Sequence, residues 1–426
     1  MNNETEKTIE VYADWLGTET PQLMGTLCIT LGRGKELFSF EYADSWLKSN
    51  NTTILDPMLH FYRGRQYLRS LDKHDTQSNF GIFTDSAPDR WGRRLMQRRE
   101  AIYARKEKRT MRVLQESDYL LGVDDITRMG ALRFKSPGDS DFLAKPNPFS
   151  TPPIIRLREL EHASRGFEQD EDDEKWLRIL LHPGSSLGGA RPKATVMDEH
   201  ADLWIAKFPS AHDAFDTEAW EMVAYKLAEA CQLQVVPARL ERFSDTGSTF
   251  LVKRFDRTAT HQRIHFASAM TLLGKHDGAS AADGTSYLDI ARFIVVSASD
   301  PDRDLKELWS RLVFSIAVSN TDDHLRNHGF LLEETGWRLS PLYDVNPTPG
   351  GSGLSLNISE HDNSADFSLA LAQCRYFHLD NAEAQDILSN ILTVVASWRT
   401  VASGLGIKRQ EMELMGPVFK MKSGKE

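Results

Sequence analysis

The stretch Ser319–Pro347, SNTDDHLRNHGFLLEETGWRLSPLYDVNP, constrains the chain more than any other. NHGFLL and WRLSPLYDV are apolar, strand-like runs joined by the turn-prone EETG, so they predict a hairpin with polar residues at its mouth. Ahead of them, DLKELWSRLVFSIAVSNT has the pattern of a strongly apolar helix. The mouth then carries an acid, Asp322, an amide five residues later, Asn327, and a second acid, Asp344, where the second strand ends. Phosphoryl transfer needs such a set. One carboxylate orients the attacking hydroxyl, while an amide and a second carboxylate hold Mg²⁺ against the phosphates. The D-x-x-x-x-N spacing is that of a kinase catalytic loop, although His324 follows the acid instead of preceding it. The same residue types also cap helices and turns, so spacing alone leaves both readings open.

Upstream, HPGSSLGGARPKA (His182–Ala194) gathers Gly184, Gly188 and Gly189, which permits close approach of backbone N–H groups to a phosphate. It is not a Walker loop, because Ala190 follows Gly189 where a lysine should stand. ATVMDEHADLWIAKFPS reads as a hairpin whose second strand ends near Lys207, and the helical FDTEAWEMVAYKLAEACQL follows, with Asp216 or Thr217 as N-cap. A kinase uses a strand lysine on the α- and β-phosphates and a helical glutamate to hold it. Lys207 and Glu221 are the candidates, with Glu218, one turn earlier, as the alternative; each is also an ordinary surface residue type. VVPARLERF and STFLVKRFDR predict two further strands around the Asp245–Gly247 turn.

Taken in order, these segments resemble the HipA-like toxin kinases of bacteria. The resemblance is carried by Thr321-Asp322-Asp323-His324-Leu325-Arg326-Asn327 for T-D-x-H-x-x-N and by Pro341-Leu342-Tyr343-Asp344 for P-x-Y-D. It extends to Gly189-Ala190-Arg191-Pro192-Lys193 after Ser186, and to Val252-Lys253-Arg254-Phe255-Asp256-Arg257, where Lys253 replaces the family's usual glutamate. It implies an α+β, two-lobed protein-kinase-like fold. An additional N-terminal β-containing subdomain would span 1–145, a kinase N-lobe with the Gly-rich loop 146–255, and a mainly helical C-lobe 256–426.

The activity so implied is ATP- and Mg²⁺-dependent phosphorylation of serine or threonine on a protein. Asp322 would take the hydroxyl proton, Asn327 and Asp344 would ligate Mg²⁺, and Glu221 would hold Lys207 on the phosphates. Gly188, Gly189, Ala190, Lys193, Lys253, Phe255, His324 and Asn327 would surround ATP. Ser186, with Ser185 beside it, matches the loop serine whose autophosphorylation switches the family's enzymes off. The family's targets are aminoacyl-tRNA synthetases, and its partner is a small helix-turn-helix antitoxin, through which alone DNA would be met. Two rival readings are a small-molecule phosphotransferase and a non-catalytic nucleotide-binding partner of an antitoxin.

The remainder constrains less. Residues 8–42 alternate with period two and predict a small antiparallel sheet. A helix follows, with Asp85 or Ser86 as its cap and Pro88 in its first turn, and MGALRF (Met129–Phe134) reads as a strand. Asp89–Arg112 holds ten Lys or Arg against three acids, a solvated helix face or a docking face for an acidic partner or nucleic acid. KPNPFSTPP (Lys145–Pro153) reads as a linker, EQDEDDE (Glu168–Glu174) as a wet acidic stretch, and FASAMTLLG as helical. The net charge of −10 gives no global case for nucleic acid or an anionic membrane. No apolar run approaches a spanning helix, and the polar amino terminus has no signal core, which points to the cytoplasm. Cys28, Cys231 and Cys374 are too scattered for a disulfide framework or a zinc site.

Overall fold

The computed structural model describes residues 6–15, 20–32, 35–49, 53–68, 79–144, 151–169, 180, 189–351 and 353–420. Ser185, Ser186 and Gly188, the acidic run 170–174 and the linker residues 145–150 lie outside the described residues. By compactness the chain forms two units, Met1–Ala211 with Asp256–Asp277, and His212–Phe255 with Gly278–Glu426. This partition by packing differs from the three-part division expected from the sequence.

In the first unit, a five-stranded antiparallel sheet runs in the order Gln66–Tyr67, Lys35–Tyr42, Gln22–Gly32, Lys7–Ala13, Leu132–Lys135. The period-two pattern is realised directly: Ile9, Val11 and Ala13 point inward and are buried. The helix Arg90–Lys106 is capped by Asp89, whose side chain accepts from Gly92 N. Asp85 and Ser86 do not cap it, because they close a separate short helix, Gly81–Asp85, and Pro88 precedes the cap. The buried Asp85 carboxylate instead accepts from the Ser268 backbone and hydroxyl. The basic helix buries Trp91, Leu95 and Met96 and pairs Arg93 with Glu116; Arg109, just beyond its end, pairs with Glu100. FASAMTLLG is not one helix. It opens as the strand Phe266–Ser268, and Ser268 then caps a single turn, Ala269–Leu272. The hairpin Lys193–Met197 and Leu203–Lys207 forms with Lys193 directly opposite Lys207.

In the second unit, Asp216 caps the helix Thr217–Ala230, and the hairpin Ala238–Glu241 with Thr249–Lys253 follows. Its core is the helix Pro301–Ala317, started by Asp300 with proline at the first helical position and buried along Leu305, Leu308, Trp309, Leu312, Val313 and Ile316. Further helices span Tyr287–Ser297, Asn381–Val395, Trp398–Gly404 and Arg409–Met415. Trp398 stacks on Phe419 with ring centroids 4.5 Å apart, and Trp220 lies 5.9 Å from each of those rings. Each such aromatic adds about 1.5–3 kcal/mol by leaving water. No described helix is long and apolar enough to cross a membrane, and the three cysteines are free and buried.

Candidate active site

The second unit carries the hairpin mouth. After the helix Pro301–Ala317 the chain turns through Ser319, a residue at φ +49° whose hydroxyl donates to Val418 O at 2.7 Å. Asn320 then acts as a joint. Its backbone N–H donates to Ser315 O at 2.8 Å, its Nδ2 to Ser315 Oγ at 3.3 Å, and its Oδ1 accepts from Asn346 N at 3.1 Å. The loop leaving the helix and the loop leaving the hairpin are thereby tied to one side chain.

Two adjacent acids follow and part company: Asp322 is exposed, whereas Asp323 is 3% exposed. The Asp323 carboxylate accepts from Tyr287 Oη and Ser315 Oγ, and His328 Nε2 lies 3.2 Å away. Burial alone would raise the Asp323 carboxyl. The imidazole of His328 beside it and the hydrogen bonds from Tyr287 and Ser315 hold it below its ordinary value. Burial, with the Asp323 charge beside it, drives the Tyr287 phenol well above its usual range.

The Asp322 carbonyl accepts from His324 N at 2.9 Å and from Asn327 Nδ2 at 3.1 Å, which closes the loop into the turn Leu325–Asn327. With its Nδ2 spent in this way, the buried Asn327 amide keeps Oδ1 as its acceptor. The hairpin Gly329–Glu333 with Gly336–Leu339 forms as expected, and the chain beyond it is anchored twice. Leu342 N donates to Gln234 O at 2.7 Å, and Tyr343 Oη donates to Arg326 O at 2.6 Å. Asp344 sits in the left-handed region at φ +58°, with Asn346 Nδ2 donating to its Oδ1 at 3.2 Å. A non-glycine residue held there is costly, and such positions gather at functional sites.

The other expected residues of this unit fall as follows. Glu221 and Glu218 are 3% and 1% exposed, so neither is a surface acid. Phe255 is buried, with its ring centroid 5.5 Å from that of Tyr343; Lys253 and His324 are half-buried. In the first unit, Lys207 is half-buried at its strand end and Ala190 is exposed. Lys193 is turned inward, with Nζ 3.1 Å from Asp89 Oδ2. Asn327 Oδ1 and the Asp344 carboxylate are hard oxygen donors of the type Mg²⁺ takes when phosphates supply further ligands. Sequence reading missed Asn320, Asp323, Asn346 and Asp89. Their only signal is polarity in or beside apolar segments.

The family model described as the HipA-like C-terminal domain matches residues 185–398. A putative kinase of Haemophilus influenzae is 27% identical over 187 residues, 39% of this chain and 54% of that protein. The putative kinase Y4mE of Sinorhizobium fredii is 30% identical over 158 residues, 35% of this chain and 36% of that protein. The chain thus spans about half or less of the length of these curated relatives. Among solved structures, the toxin–antitoxin system of Shewanella oneidensis MR-1, HipA with HipB and its operator DNA, offers a chain that matches with a TM-score of 0.65. The match covers 96% of this chain and 94% of that one at 16% identity. It speaks for the fold, and the α+β fold expected from the sequence is found.

Proposed function

The chain belongs to the family of the HipA-like C-terminal domain, and from that premise we propose that it is an ATP- and Mg²⁺-dependent serine/threonine protein kinase. The observation that carries the reading is the division of labour at Asp322 and Asp323. One carboxylate faces solvent on a loop whose neighbouring carboxylate is locked in the core, next to an amide and a second acid on a loop tied to the first. Asp322 would orient the substrate hydroxyl and take its proton, and Asn327 and Asp344 would hold Mg²⁺. When bound, the metal would neutralise charge on the transferred phosphoryl group. Lys207, supported by Glu221, would serve the nucleotide phosphates, and Gly188 and Gly189 with Ala190 would leave room for them. Phe255, Lys253 and His324 would lie on the nucleotide's side of the site.

The substrate in this reading is a protein hydroxyl, with an aminoacyl-tRNA synthetase as the target class. Phosphorylation of Ser186 or Ser185 would inactivate the enzyme by adding about two negative charges beside those of the nucleotide. The solved Shewanella structure holds HipA with HipB and operator DNA, which supports an antitoxin as partner here. In this reading DNA would be met only through that antitoxin, and the setting would be the cytoplasm.

Mass spectrometry of purified wild type and Asp322→Asn after incubation with Mg²⁺ and ATP tests this. Wild type should gain phosphate on Ser186 or Ser185, and Asp322→Asn should be slower by about 10²–10⁴-fold. Its melting temperature should be unchanged, because Asp322 is exposed. A phosphatase-treated wild type that gains no phosphate overturns the protein-kinase reading and turns attention to small-molecule acceptors.

A further inference from the structure

The basic helix of the first unit begins where the glycine-rich segment ends. Asp89 and Lys193, 104 residues apart in sequence, form an ion pair whose side chains are almost wholly buried. Asp89 serves two partners at once: Oδ2 meets Lys193 Nζ at 3.1 Å, while Oδ1 accepts from Gly92 N at 2.8 Å and so caps the helix Arg90–Lys106. Next to it the buried Trp91 donates its ring N–H to Lys193 O at 3.0 Å and its backbone N–H to Gly189 O at 3.4 Å. Gly189 lies at φ +106°, a backbone conformation that L side chains rarely adopt, and a Cβ there would stand 2.9 Å from Lys193 Nζ. Beyond it, Pro192 O accepts from Phe208 N at 2.9 Å. The segment Gly189–Lys193 is therefore held on one side by the helix start and on the other by the strand ending at Lys207.

Lys193 and Lys207 are direct cross-strand partners, so both side chains leave the same face of the hairpin. Like charges in that position repel. Asp89 pairs with Lys193. We propose that Asp89 is a positioning residue of the phosphate-binding segment. It draws the charge of Lys193 inward and fastens Gly189–Lys193 to the helix start, while Lys207 across the hairpin is the lysine that serves the nucleotide in the kinase reading. Lys193 then acts through Asp89 and not on the phosphates. This inference rests on the kinase reading for its consequence, but its structural half stands without it.

The test uses the full chain with Asp89→Asn, Lys193→Met and the double variant, and three readouts: thermal melting, backbone hydrogen exchange across 189–195, and equilibrium binding of a fluorescent ATP analogue with Mg²⁺. Asp89→Asn strands a buried cation, so it should melt earlier and exchange faster across 189–195. Its affinity for the analogue should fall about 10- to 100-fold, the scale of a misplaced positioning group. The double variant removes both charges and should regain the melting temperature, slow exchange and most of the affinity. If the double variant exchanges and binds no better than Asp89→Asn, the proposal is overturned. It is overturned as well if Lys193→Met keeps wild-type exchange yet loses the analogue, because Lys193 is then a phosphate ligand. A wild type that binds no analogue sinks the kinase reading, while exchange across 189–195 still decides whether the fastening exists.

Discussion

At the scale of the residue, one peptide unit separates two carboxylates with opposite surroundings. Removing Asp323 leaves His328, Tyr287 and Ser315 facing a neutral group in the core, and Asp323→Asn should cost about 3–5 kcal/mol in urea denaturation, as breaking a buried pair does. Its pH signature has a definite sign. Because the folded carboxyl lies below its ordinary value, the stability it contributes is present above about pH 4 and lost as pH falls through the lower folded value. Melts across the acid range should show a limb in wild type that is weaker in Asp323→Asn. Asp56 has the reverse sign. Burial pushes its carboxyl up to about 6, so the folded state prefers the neutral form and stability declines as pH rises from about 4 towards 6. In Asp56→Asn that decline should flatten; an unchanged slope would contradict the assignment. None of this inward or outward sorting was legible in the sequence. Neighbouring residues in a loop have no period that tells core from solvent, and Lys193 finds its acid only through tertiary contact. The polar set Asp322, Asn327 and Asp344 was legible, because it interrupts apolar runs.

At the scale of the element, periodicity carried the helices Thr217–Ala230 and Pro301–Ala317 and the hairpins around them, since each is long enough to repeat its pattern. It failed where elements are short. Phe266–Ser268 has three residues, too few to distinguish strand from helix, and the short helix Gly81–Asp85 hid the true cap, Asp89, behind two earlier candidates. The joint between elements is Asn320. Asn320→Ala would leave the Asn346 N–H without the acceptor it now has and untie the two loops. The expected loss is about 1–3 kcal/mol in denaturant, with kcat falling more than KM rises in steady-state kinetics. A variant with wild-type kcat would remove Asn320 from the working parts of the site.

At the scale of the whole molecule, the second unit is assembled from two separate stretches of chain, and the cut expected at 255 passes through it. The first stretch supplies Trp220, whose ring N–H donates to Glu411 at 2.7 Å and whose ring meets Trp398 and Phe419. A fragment of residues 256–426 should therefore lack a cooperative melt by circular dichroism, whereas 212–426 should show one. Motif order along the sequence could not reveal this, because it lists segments without saying which of them share a core. The bond from Ser319 to Val418 spans 99 positions, and Lys420 N closes on Ala317 O at 2.8 Å. During synthesis the turn that launches the candidate catalytic loop thus lacks these two fastenings until residues 418 and 420 have left the ribosome. A nascent chain short of that point would carry Asp322 and Asn327 on a loop that still lacks both of these clamps, so the setting of the loop is a late event of folding.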